Sequence, residues 1–183
     1  MAAQRNARSA VRINRAPVLT LWAAVVAERL GFAWEEALTL GRAVAGLNAY
    51  AKGKALGLFR PTPNTVQAKR RAVRGADVLA VDLLHRAVPV VRTDAGLRAL
   101  RNGKPINPDE VRRYLEKKFG DALEETYAAM KHLATALPPA TLAKDAYHLY
   151  EQFRPTVPAG TRGWGATGVL SLDAIRKLAR QER

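Results

Sequence analysis

Between Pro17 and Gly31 the apolar residues are spaced for one helix and closed by a glycine, so whatever fold forms must accommodate that helix. Pro17 suits a first turn, where its missing N–H costs nothing. Val18, Leu21, Trp22, Val25 and Val26 follow at intervals of three and four, and Gly31 can take the positive φ that ends a helix. The spacing predicts a helix over 16–30. A second is expected over 34–50, with Glu35 and Glu36 complementing the dipole at its start and Ala37, Leu40, Val44 and Leu47 as its apolar line. Gly41 and Gly46 each cost a helix about 1 kcal/mol relative to alanine, so they are expected at close contacts or a bend.

The rest of the chain extends this pattern. Pro61 and Pro63 mark a connector, after which Thr65 can cap a helix that Gly75 stops. Residues 78–91 break the helical period. Val78, Leu79, Val81, Leu83 and Leu84, then Val88, Val90 and Val91, favour strand around His85 and Arg86, which predicts a small hairpin, with a helical reading of the first run left open. A short helix is expected over 93–100, ending at Asn102 and Gly103. Asn107 or Pro108 opens the next, with Val111, Tyr114, Leu115 and Phe119 as its apolar positions; Gly120 breaks it, and Asp121 is expected to cap another running to Ala136. Leu142, Ala146, Leu149 and Phe153 define one more, and Ser171 or Asp173 starts a terminal helix through Ile175 and Leu178. The fold expected is all-α: a compact bundle of about six to seven helices, with the hairpin near 78–91 as its only β element. Residues 1–15 read as a flexible basic arm, 16–153 as the helical domain, and 154–183 as a Pro/Gly-rich loop followed by a C-terminal helix.

Absence of cysteine excludes a disulfide scaffold, a thiol nucleophile and thiolate zinc sites, and fits a reducing cytoplasm. No run reaches the roughly 18 apolar residues that span a bilayer, so no transmembrane segment is expected. Arginine outnumbers lysine by 21 to 9, which with the abundant alanine points to a GC-rich bacterial genome.

Charge is the strongest functional signal. The chain carries +14, and residues 1–76 hold 13 Lys and Arg against 3 acids, leaving +10 there and +4 in the rest. No acid lies between Glu36 and Asp77. Such self-repulsion is relieved by a polyanion, so a nucleic acid, DNA before RNA, is the expected partner, with a solvated basic surface or contact with anionic lipid headgroups as the alternatives. Arg5, Arg8, Arg12 and Arg15 of the arm, with Lys52, Lys54, Arg60, Lys69, Arg70, Arg71 and Arg74, are the expected phosphate contacts. Their spacing around a helix suits tracking a backbone better than reading bases. The rival class is a protein-interaction or assembly domain whose charge serves solubility, and self-association is compatible with either.

Residues 23–42 resemble a helix-turn-helix, with Ala27 as the small residue of the first helix, Gly31 in the turn, and Ala37 and Leu40 packing the second helix back. The resemblance implies a groove-reading second helix, yet that helix would lead with Ala33, Trp34, Glu35 and Glu36, two of them acids facing phosphates. The same residues fit a purely structural αα-hairpin, which is the expected reading, and Leu30, Gly31 and Phe32 followed by acids are also similar to a ubiquitin-associated-type module, which implies peptide binding. Gly163 to Gly168 match GxGxxG literally but follow no strand and are read as a chance match. Asp145 with His148, and Glu124 or Glu125 with His132, are read as surface polar residues. No catalytic motif, cofactor or metal is expected.

Overall fold

The first helix forms over Arg15–Arg29 (α1) and the second over Trp34–Ala55 (α2), in a computed structural model that describes residues 8–55, 78–158 and 166–182. The turn between them closes as the glycine requires. Gly31 takes φ +113, its N–H bonds Glu28 O, and the Phe32 N–H reaches back to Ala27 O at 3.1 Å. The two helices cross where Gly41 meets α1. A Cβ there would lie 2.3 Å from Thr20 O and 2.9 Å from Ala24 N, so no side chain fits. Gly46 has nothing within 4 Å of its Cβ position and marks no contact.

All residues of α1 from Pro17 to Ala27 are buried, Thr20 included. A helix that is apolar all round belongs inside a core, and α1 packs against α2 and against three later helices: Pro108–Phe119 (α3), Leu123–Thr135 (α4) and Pro139–Phe153 (α5). Trp22 sits at its centre, with Nε1 donating to Ala146 O at 2.9 Å and the ring edge-on to Phe153 at 5.2 Å. Asn107 caps α3 by accepting from the Asp109 N–H, and Ser171 caps Leu172–Gln181 (α6) by accepting from Ala174. Asp121 is no cap: a 3₁₀ turn, Gly120–Ala122, leads into α4 without a side-chain cap.

The all-α expectation is overturned. The molecule is mixed, with a two-stranded and a four-stranded antiparallel sheet beside the helices. Ala10–Ile13 (β1) pairs with Gly168–Ser171 (β6), while Leu79–Leu83 (β2), Arg86–Thr93 (β3), Gly96–Arg101 (β4) and Lys104–Pro105 (β5) form a meander in that order. The hairpin over 78–91 forms, turning at Leu84 and His85, both at positive φ. The short helix expected over 93–100 does not. Thr93 to Gly96 instead turn the chain, Thr93 Oγ1 donating to Gly96 O and accepting from Ala95, and the following residues pair with β3.

Two side chains of α2 explain why 96–101 extends. Glu36 Oε2 accepts from the Leu97 N–H at 2.7 Å, and Thr39 Oγ1 accepts from Ala99 at 3.1 Å, so the helix satisfies strand donors that β5 is too short to reach. Asn102 and Gly103, both at positive φ, then make a tight hairpin turn rather than a helix end.

Residues 8–15 do not form the expected flexible arm. Val11 and Ile13 are buried opposite β6, Ser9 O accepts from Leu172 N–H, and Arg15 already belongs to α1. Two apolar residues in alternation are too weak a local signal, and the partner strand lies at the other end of the chain. The C-terminal segment joins the same core through Leu170, Leu172, Ile175 and Ala179. Gly168 opens a strand, not a helix, and a Cβ on it would sit 2.8 Å from Thr156 O. The helix expected over 65–74 lies outside the described residues.

Candidate functional site

Two concave surfaces lie on either side of α3, each also lined by α2. The first is a groove of about 380 Å³ between α2, the β4–β5 hairpin and α3, lined by Arg42, Arg101, Lys104, Ile106, Glu110 and Tyr114 among others. Two elements distant in sequence supply its three cations. Arg42 is oriented by its guanidinium lying 4.5 Å from the Tyr114 ring centroid. Burial raises the Tyr114 phenol above its ordinary pKa, with Arg42 opposing, so it stays neutral beneath the cation. Arg101 and Lys104 flank the Asn102 and Gly103 turn, exposed and without ion-pair partners among the described residues. Lys117 and Lys118, three and four residues beyond Tyr114 and exposed, carry positive charge along the same face of α3.

The second surface is a cavity of about 640 Å³ lined by Leu21, Leu38, Leu115 and Leu123, with Trp34 and Tyr127 as aromatic walls and Glu28, Asp121, Glu124 and Arg112 around it. Tyr127 donates to Glu28 Oε1 at 2.7 Å; burial first and that bond second push its pKa up to about 12.

The sequence-predicted site residues are not gathered into the groove. Arg8 is tied to the fold: its N–H donates to Glu125, its side chain meets Asp121 at 3.4 Å, and its carbonyl accepts from Arg176. Arg15 is half-buried and donates to Pro155 O. Arg12 is exposed on β1 and unpaired among the described residues. Lys52 and Lys54 belong to the last turns of α2. Arg5, Arg60, Lys69, Arg70, Arg71 and Arg74 lie outside the described residues.

α2 is engaged within the fold at its N-terminal end. Its first turn is occupied: Glu36 bonds Leu97, Glu35 approaches Arg112 at 3.6 Å, and the Trp34 ring packs edge-on to Tyr127 at 5.1 Å. Sequence reasoning missed Arg101 and Lys104 as site residues because Asn102 and Gly103 read locally as a helix end. Basic residues flanking an Asn-Gly pair are the signal that could have found them.

Among the described residues no helix is long and apolar enough to cross a membrane, and no group of three or more His, Asp or Glu side chains could hold a metal ion. No family model, curated protein sequence or solved structure matches the chain.

Proposed function

We propose that this protein binds nucleic acid, duplex DNA foremost, through sequence-tolerant phosphate contacts. The observation that carries the reading is the convergence of Arg42, Arg101 and Lys104, from a helix and both sides of a hairpin turn, on one groove. Phosphates need positive charge held at a surface with few competing carboxylates, and Glu110 is the acid in this lining. In sequence, the acid-free stretch after Glu36 also carries Lys52, Lys54, Arg60, Lys69, Arg70, Arg71 and Arg74, a charge excess that a polyanion would relieve. Occupation of the first turn of α2 argues for backbone contact over base reading.

The test is a mobility-shift titration at several salt concentrations. Replacing Arg101 and Lys104 with alanine should weaken binding to every duplex alike and flatten the slope of log K against log salt by about 1.8, at about 0.9 per phosphate contact. Replacing Lys69, Arg70, Arg71 and Arg74 together should flatten it by roughly 3 to 4. Unchanged affinity and slope in both variants would overturn the reading. A tight protein complex with little salt dependence would favour the assembly-domain alternative instead.

A further inference from the structure

The chain has almost twice as many bases as acids, 30 against 16, yet the rim of its larger cavity is acidic. Glu28, Asp121 and Glu124 line it, and Glu35 and Asp109 stand behind Arg112, the cation of its lining. Arg112 is already engaged, at 2.6 Å from Asp109 and 3.6 Å from Glu35. Arg8 meets Asp121 at 3.4 Å, and Lys131 stands 5.6 Å from the Tyr127 ring centroid. Arg29 lines the adjoining recess with Glu28 and Lys131, so five carboxylates stand against four cations, and the lining itself holds three carboxylates against one cation. Glu124 is exposed and has no hydrogen-bond or ion-pair partner among the described residues.

The interior chemistry is equally selective. Trp34 and Tyr127 meet at 68° with centroids 5.1 Å apart, which makes two walls of a corner, and leucines from α1, α2, α3 and α4 complete the lining. Aromatic faces attract cations and accept hydrocarbon, whereas an anion here would confront three carboxylates. The volume, about 640 Å³, falls in the range of small-molecule sites. We propose that this cavity binds an amphipathic organic cation: an ammonium group toward Glu28 and Glu124, its apolar body against Trp34 and the leucines. The site is independent of the nucleic-acid reading, since its charge repels phosphate.

Three probes sharing one apolar body test this on the full chain by calorimetric titration at neutral pH: phenylpropylamine, phenylpropanol and phenylpropanoate. The amine, protonated under these conditions, should saturate one site and bind at least about tenfold tighter than the alcohol, the carboxylate weakest. In the double variant Glu28→Gln, Glu124→Gln, amine affinity should fall about tenfold while the alcohol is unaffected; the amide carbonyl that replaces the Glu28 carboxylate still offers Tyr127 an acceptor, so the wall stays in place. Trp34→Leu should weaken the amine and the alcohol together. Equal affinity for amine and alcohol, amine binding indifferent to the double substitution, or no saturation by the amine would each overturn the proposal.

Discussion

The groove and the cavity are built on successive turns of α2 and opposite sides of α3, yet they carry opposite charge. Trp34 and Leu38 of α2 line the cavity and Arg42 lines the groove; Arg112 and Leu115 of α3 belong to one, Glu110 and Tyr114 to the other. On the groove side Arg101 and Lys104 project into water from a hairpin turn, and Arg42 is held against a ring. On the cavity side two of the three carboxylates have a specific partner, Tyr127 for Glu28 and Arg8 for Asp121. A net charge of +14 therefore describes neither surface; what matters is which side chains the packing brings together.

Substitution in the shared frame should break both surfaces at once. Trp22→Ala removes the largest fully buried side chain of α1 and its bond to Ala146 O, and should cost about 3–5 kcal/mol in urea denaturation. Polyanion and amine binding should be lost in parallel. A cost below about 1 kcal/mol would show that the core collapses around the gap, contrary to close packing.

A smaller effect should separate the two. Glu36→Ala deletes the acceptor of the Leu97 and Ala33 N–H groups, charge-assisted bonds each worth about 1.5–3 kcal/mol when well buried, less here because Glu36 is half-buried. Loosening β4 should displace the Arg101 and Lys104 hairpin. Polyanion binding should weaken while phenylpropylamine binding is retained; equal loss of both would mean that the meander and the cavity move as one unit.

The smallest expected effect is confined to the cavity wall. The Tyr127 phenol has a folded pKa of about 12 against an ordinary 10.0, so the protonated form is favoured by folding. Its contribution is present in full below about pH 10 and is lost as pH rises through about 12. Following phenolate absorbance in the parent and in Tyr127→Phe should assign one late-titrating group to Tyr127. Titration of that group near pH 10 would show that neither the burial of Tyr127 nor its bond to Glu28 holds in solution.

How much of this was legible beforehand follows the range of the interactions. Asn107 and Ser171 act as caps, Gly31 as a helix stop and Gly41 as a close contact because each works through neighbours in the chain or a single crossing. The burial of Leu142, Ala146, Leu149 and Phe153 follows directly from their spacing. Of the site, the basic excess was legible but its geometry was not: Arg8 and Arg15 are held within the fold, and Arg101 and Lys104 lie on a turn that resembles a helix end.

What the amino-acid sequence determined by itself was the helices, whose stabilising contacts recur every three to four residues, and the sign of the total charge. Tertiary structure decided the two-stranded sheet, the strand over 96–101 and both concave surfaces, whereas the hairpin over 78–91 was already expected. Gly96–Arg101 carries leucine, alanine and arginine, which favour helix locally, and becomes strand because β3 pairs with it and Glu36 and Thr39 satisfy its outward N–H groups. Ala10–Ile13 becomes strand because Gly168–Ser171 lies beside it. The β1–β6 pairing and the bonds from Glu36 and Thr39 take their free energy from partners remote in sequence, so no window of the chain contains that information; the β2–β3 hairpin pairs neighbours in the chain and was readable in residues 78–91.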